Sequence, residues 1–264
     1  MLESRMVIES EQKDYFKAHG NVLIENILSP KEIEAYRPIV LSAVERYNTE
    51  TREIEDRDTY GKAFLQIMNL WEVDEGVREF TLAKRFASIA ADLLEVKNVR
   101  LYHDQALFKE AGGGPTPWHQ DQYYWPIDTN KMITMWMPLV DINLEMGMLS
   151  FANGSHQLGY LGNLAISDNS EEILSQLVKE KKYEINRAET MKAGDATWHS
   201  GWTLHHAAGN SAKVTREVMT IIYMDAEATI AEPRNEHQRA DHARWLQNYP
   251  IGENAASQLN PLLL

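Results

Sequence analysis

The chain has no cysteine in its 264 residues. That excludes a disulfide framework and any thiolate-bound zinc or iron–sulfur site, and leaves histidine and carboxylates as the strong metal ligands. Long hydrophobic runs are missing too. No stretch approaches the roughly 20 uncharged apolar residues of a membrane span, and the N-terminal MLESRMVIESEQKDYF lacks the apolar core of a signal peptide. These absences predict a soluble cytoplasmic protein with no membrane partner. Basic clusters are absent as well: the net charge is −13, which opposes wrapping a phosphate backbone and argues against a nucleic-acid partner. It leaves an anionic small molecule open, because one buried Arg can capture a carboxylate inside a negative protein.

What is present reads as an ordinary globular chain, 44% apolar and 25% charged. Its length suits one β-rich domain spanning 1–264 with helical additions: a mainly helical part over 1–98, a β core over 99–225 and a tail over 226–264, polar beyond Ala231 and expected to cover a rim or a neighbouring subunit. Tyr15 to His19 reads as the end of a helix stopped by Gly20, and NVLIE (21–25) as a short strand. Ser29-Pro30-Lys31-Glu32 combines an N-cap Ser, Pro at the first helical position and Glu at the capping-box position, with Ile33, Tyr36, Val40 and Val44 following at helical spacing. A second long helix is expected over 76–95. Beyond Val99 short β-type runs alternate with Gly, Pro, Asn and Asp; strands are expected over 100–109, 132–142, 147–152, 183–186, 196–199, 203–207 and 215–225, with a helix inserted at 169–182. Many short strands in succession point to a sandwich or barrel. Met132, Met135, Met137, Met146 and Met148 are read as core filler.

The chemistry concentrates in two segments. The first, Gly112 to Pro126, holds Trp118-His119-Gln120-Asp121 followed by Tyr123, Tyr124 and Trp125. On a strand, side chains two apart share a face, so His119 and Asp121 can reach one ion. The second, Gly194-Asp195 through His206, offers His199, His205 and His206 for a third ligand. Two His and one carboxylate on one face of an octahedron, with positions left open, is the site type of non-haem iron(II) oxygenases. A His-x-Asp pair by itself is more often structural.

The two segments acquire meaning together with a third. Trp136-Met-Pro138-Leu139-Val-Asp141, then Gly147-Met-Leu149 and Gly154-Ser155-His156, lie between them. The last segment continues to Asn210, five beyond His205, and Arg216, eleven beyond it. In this order and spacing, from about residue 20 to about 225, the sequence resembles the phytanoyl-CoA dioxygenase family of iron(II)- and 2-oxoglutarate-dependent enzymes. The resemblance implies a double-stranded β-helix, a jelly-roll of the cupin type, with the N-terminal helices on one sheet. It selects His205 as third ligand, with His206 facing the other way and His199 lining or supporting the pocket. It gives Arg216 the salt bridge to the distal carboxylate of 2-oxoglutarate, a task suited to the guanidinium fork. Thr134 matches a hydroxyl near that carboxylate and Lys109 a further cofactor contact.

Gln105, Trp125 and Trp202 are candidates for the substrate side, and His103 for the pocket wall. The implied activity is hydroxylation of a small metabolite or natural-product intermediate, consuming O2 and 2-oxoglutarate and releasing succinate and CO2, with ascorbate as a candidate reductant. Halogenating relatives have a small residue in place of Asp121, whereas desaturation, epoxidation and cyclisation use the same site. A metal hydrolase and a non-catalytic metal-binding barrel are the competing classes; no His-Glu-x-x-His motif supports the first. Segments 50–75 and 157–182 are expected to supply a lid or specificity elements.

Overall fold

A computed structural model describes residues 2–264. In chain order the elements are α1 (Ser10–His19), β1 (Asn21–Ile24), α2 (Pro30–Tyr47), α3 (Thr59–Ala63), β2 (Leu65–Met68), α4 (Glu75–Thr81), α5 (Lys84–Leu94), β3 (Val99–Phe108), β4 (Thr116–His119), β5 (Ile127–Asp128), β6 (Met132–Pro138), β7 (Ile142–Asn143), β8 (Leu149–Ala152), α6 (Asp168–Lys181), β9 (Ile185–Asn186), β10 (Thr190–Met191), β11 (Ala196–Ser200), β12 (His205–Ala207), β13 (Val218–Asp225), β14 (Thr229–Ile230) and α7 (Glu236–Arg244). Six strands form the major sheet in the order β1-β11-β6-β13-β3-β2, and four form the minor sheet in the order β4-β12-β8-β9. The pairings are antiparallel throughout, with β7–β10 and β5–β14 as short additions. This is the expected double-stranded β-helix: two antiparallel sheets whose facing sides enclose the site.

The helices sit on the outer face of the major sheet because their apolar faces have nowhere else to go. Ile33, Tyr36, Val40, Ala43 and Val44 of α2 are buried with Val77 and Phe80 of α4, Phe86, Ile89 and Leu93 of α5, and sheet residues Leu101, Ile133, Met135 and Ile221. Each fully buried aliphatic or aromatic side chain of this size contributes roughly 1.5–3 kcal/mol. The start of α2 is as the sequence predicts: Ser29 and Glu32 form a reciprocal capping box with Pro30 inside it. All five methionines noted above are buried.

Four boundaries differ from the sequence reading. The helix expected over 76–95 is two helices, broken at Leu82-Ala83. The Asp74 carboxylate caps α4, Thr81 Oγ1 donates to buried Asp104, and the break brings Phe80 and Phe86 to 5.1 Å between ring centroids. The strand expected over 132–142 stops at Pro138, which has no N–H for the ladder, and Ile142–Asn143 pairs separately. Arg216 lies ahead of β13, joined to Lys109 by a single isolated bridge. Asp121 is not on a strand: β4 ends at His119, and Asp121 opens a 3-10 turn through Tyr123.

Strand β3 carries a further device. Its register against β13 pairs His103 with Ile222 and Leu101 with Tyr223, skipping Tyr102. A bulge of this kind turns two successive side chains toward one side, and the Tyr102 and His103 rings lie 4.9 Å apart.

Candidate active site

His205 stands directly opposite His119 across the β12–β4 pair, and their rings are 4.0 Å apart. The turn after His119 brings Asp121 back toward both. Its Oδ1 lies 3.5 Å from His119 Nε2 and 3.6 Å from His205 Nε2, and the three ligand atoms fall within 4.8 Å of one another. The spatial grouping predicted for the three residues is therefore present, reached through a turn rather than a shared strand face.

Each ligand is held by a partner that leaves the right atom free. His119 Nδ1 is 2.8 Å from Pro117 O and His205 Nδ1 is 3.0 Å from Thr203 O. A ring N–H donated to a carbonyl puts the lone pair on Nε2, facing the shared point. Asp121 Oδ2 accepts from Thr134 Oγ1 at 2.8 Å and faces His199 Nε2 at 3.1 Å, which leaves Oδ1 for an ion. Burial alone would raise the Asp121 carboxyl, but the facing His205 ring and hydrogen bonds from His119 and His199 hold it well below the usual carboxylate range. Burial drives His205 in the same direction, well below the ordinary imidazole value, so the ring is neutral and able to ligate. His206 points away and stacks on Trp118 at 4.1 Å.

Arg216 lines the same cavity as the triad. It is 2% exposed, its guanidinium lies 5.1 Å from the centre of the Trp136 ring, and one amino group donates to Gly147 O. Its Nε finds no hydrogen-bond partner among the described residues, and burial pulls its pKa down to about 9. A desolvated cation with spare donors is what an incoming carboxylate satisfies. The two motif residues around it explain themselves: Asn210 donates to the carbonyls of Lys109 and Val214, fixing the turn that carries Arg216. Gly147 has φ +79°, and a Cβ there would meet Ala208 O at 2.5 Å.

The cavity, about 480 Å³, is lined also by Asp58, Tyr60, Phe64, Gln66, His103, Gln105, Tyr124, Trp125, Thr134, Ile166, His237 and Asp241. Gln105 and Trp125 thus line the cavity, as does His103, with burial lowering the His103 pKa to about 3. Of the three other expected contacts, Thr134 lines the cavity and Lys109 and Trp202 do not. The Thr134 hydroxyl is committed to Asp121. Lys109 is fully buried behind the cavity wall, its ammonium on Gly114 O and near Thr116 Oγ1, and burial with the neighbouring Arg216 brings its pKa down to about 6. Trp202 lies outside the cavity lining and donates to Asn130 Oδ1. Residues missed in the sequence are Asp58, Tyr60, Phe64 and Gln66 from the 50–75 segment, and His237 and Asp241 from the tail. The segment is expected as a lid or specificity element and the tail as a cover for a rim or a neighbouring subunit, but no individual residue of either is marked by the sequence.

The family model of phytanoyl-CoA dioxygenase (PhyH) matches residues 16–218. The chain belongs to this family. The match contains His119, Asp121, His205 and Arg216, and the first three form a group able to hold a metal ion. Among PhyH relatives, phytanoyl-CoA dioxygenase domain-containing protein 1 of Danio rerio is 28% identical over 159 residues, 58% of this chain and 52% of that protein; the chain thus spans about half of its length. The fold is shared with the carbocyclase SnoK from nogalamycin biosynthesis, described as non-haem and α-ketoglutarate dependent, at a TM-score of 0.79 and 22% identity over 97% of this chain and 96% of that one. It is shared also with the epimerase SnoN in complex with Fe3+, α-ketoglutarate and nogalamycin RO, at 0.76 and 22% over 96% and 98%. Among the described residues no helix is long and apolar enough to cross a membrane.

Proposed function

We propose that the chain is a single catalytic unit that hydroxylates a C–H bond of a small metabolite or natural-product intermediate, releasing succinate and CO2, in the cytoplasm. The observation that carries this reading is the buried Arg216, with an unsatisfied Nε, on the wall of the cavity that holds the triad. A buried guanidinium with spare donors beside the triad suits the distal carboxylate of a dicarboxylate cofactor, and no His-Glu-x-x-His motif supports a metal hydrolase.

In this reading His119, Asp121 and His205 hold iron(II), and Arg216 pairs with the distal carboxylate of 2-oxoglutarate. The donor set fits a hard-to-borderline divalent ion: two neutral imidazoles and one carboxylate, with no thiolate. When bound, iron(II) and 2-oxoglutarate supply the activation of dioxygen and the oxidative decarboxylation that drives C–H oxidation. The chain's residues position and insulate. Thr134 and His199 fix Asp121 so that one oxygen faces the ion. Trp136 backs the guanidinium, while Trp125, Tyr60, Phe64 and Tyr124 wall the cavity and exclude water from the reacting centre. Asp121 occupies the position that a halide would need, which favours hydroxylation over halogenation.

The test is succinate formation and oxygen uptake that both require iron(II) and 2-oxoglutarate, with a screened substrate giving a product heavier by one oxygen atom. Product formation without 2-oxoglutarate consumption would refute the reading.

A further inference from the structure

The far side of the cavity from Arg216 has a charge pattern that the cofactors do not account for. Resting on the function proposed above, the charges at the reaction centre cancel among themselves: a divalent cation, the Asp121 carboxylate, a dianionic cofactor and the Arg216 guanidinium. Two carboxylates on the cavity wall remain, Asp58 and Asp241, and no Lys or Arg besides Arg216 lines the cavity among the described residues.

Asp241 is the more constrained of the two. It projects from α7 of the C-terminal tail, and Tyr102 Oη donates to its Oδ2 at 2.8 Å. That contact exists because the β3 register skips Tyr102, turning its ring to the same side as His103 and against Trp125, 5.5 Å away. The groups around the carboxylate are Tyr102, Trp245 and His103, together with Tyr60 across the cavity. His237, one turn earlier on α7, also lines the cavity, but no Lys, Arg or His forms an ion pair with Asp241 among the described residues, and burial holds His103 neutral at neutral pH. The carboxylate is thus oriented but has no ion-pair partner among the described residues, and burial lifts its pKa to about 7 against the hydrogen bonds from Tyr102 and Trp245. Asp58, at the exposed rim, uses Oδ1 to cap Gly61 N at 2.8 Å and adds negative potential at the entrance. The rings of Tyr60 and Trp125 complete a wall that favours a cation over an anion.

We propose that Asp241 is a specificity-determining residue that receives the protonated amine, or an equivalent cationic nitrogen, of the substrate. Its carboxylate forms a charge-assisted hydrogen bond to that nitrogen, and this anchors the substrate with the carbon to be oxidised toward the triad. Neutral polyols and carboxylates are the competing chemistries.

The test uses the full chain loaded anaerobically with iron(II) and 2-oxoglutarate, titrated with matched sets of a primary amine, the corresponding alcohol and the corresponding carboxylate on aliphatic and phenylalkyl frames. Dissociation constants are read from perturbation of the visible charge-transfer band. At least one amine is expected to bind about tenfold or more tighter than both of its counterparts, and Asp241→Asn is expected to shrink that preference to within about twofold. The Asn side chain keeps an acceptor for Tyr102, and an unchanged band on adding 2-oxoglutarate reports an intact fold. No amine outranking its counterparts, or a preference that survives Asp241→Asn, overturns the proposal. Should Asp241→Asn fail to fold, the wild-type ranking decides the matter by itself. Failure of the band to form in the wild type would instead refute the oxygenase reading.

Discussion

Replacing Arg216 separates cofactor binding from folding. Arg216 is 2% exposed, and among the described residues its guanidinium makes one hydrogen bond, to Gly147 O, while Nε has no partner. With 2-oxoglutarate absent it is a buried charge without a counter-ion, and exchange for an apolar side chain of similar length relieves a desolvation cost. With 2-oxoglutarate bound, loss of the cation leaves a carboxylate buried and unpaired, a penalty of about 3–5 kcal/mol. At about 1.4 kcal/mol per factor of ten, Arg216→Met is therefore expected to weaken 2-oxoglutarate by roughly 100- to 3,000-fold. Its urea midpoint without cofactor is expected to equal or exceed that of wild type. Arg216→Lys keeps a charge without the bidentate fork and is expected to fall between the two. The assay is an anaerobic titration of the iron(II) protein with 2-oxoglutarate, followed by its visible band, beside denaturant curves of the apoprotein. Unchanged cofactor affinity in Arg216→Met would refute the assignment. A strongly destabilised apoprotein would refute the claim that the guanidinium is waiting for an anion.

Asp121→Ala should abolish turnover and weaken iron(II), measured by succinate release and metal titration. His199→Phe and Thr134→Val each remove a group that fixes Asp121 Oδ2; about 10- to 100-fold weaker iron(II) binding is expected of each, and unaltered metal affinity in both would show that Asp121 needs no such support. Ser29→Ala removes the cap of α2 and should cost about 1 kcal/mol in urea denaturation, with no effect on cofactor binding. Asp104, whose pKa burial raises to about 7, has a folded value above its unfolded one near 4. The contribution of this group is complete below the unfolded pKa and is lost as pH rises through the folded value. The stability of Asp104→Asn relative to wild type should therefore improve between pH 4 and pH 7, and a pH-independent difference would contradict that.

The readable parts of the fold were those in which local chemistry and tertiary packing agree. The α2 start is written in four consecutive residues, and the alternation of β3 places Ala106 and Phe108 in the core while Gln105 and Leu107 face the cavity. Misreadings arose where a tertiary contact overrode a local period. The apolar spacing over 76–95 suits one helix, but Thr81 must reach Asp104 and two Phe rings must meet, so the helix breaks between them. Tyr102 is invisible as a bulge because its sequence neighbours alternate normally; only pairing with β13 shows the skipped position. The sequence explains only part of why Asp121 groups with His119 and His205. Two-residue spacing on a strand would aim the carboxylate correctly, but the chain turns after His119, and Thr134 and His199, opposite each other on β6 and β11, hold it in place.

The same contrast explains why the proposed metal and cofactor residues are legible in the sequence and the proposed substrate side is not. His119, His205 and Arg216 sit on paired strands or a bridge of the two sheets, so a fixed spacing in sequence maps to a fixed place in space. Lys109 shows the limit of that mapping. It occupies the expected position on the β3 extension, yet the backbone bridge to Arg216 turns its ammonium to Gly114 O, behind the wall. The substrate side is assembled from α3, β2 and α7, elements separated by more than half the chain and joined to the sheets through few side chains, such as Gln66 on Gln105 and Asp241 on Tyr102. No local pattern marks a residue whose role depends on where a distant tail comes to rest. A rim of that kind can change its chemistry without disturbing the metal centre, because the groups that orient the ligands, Pro117 O, Thr203 O, Thr134 and His199, all belong to the sheets or their connecting turns. Substitutions at Asp241 should accordingly alter which molecule is accepted and leave iron(II) and 2-oxoglutarate binding intact.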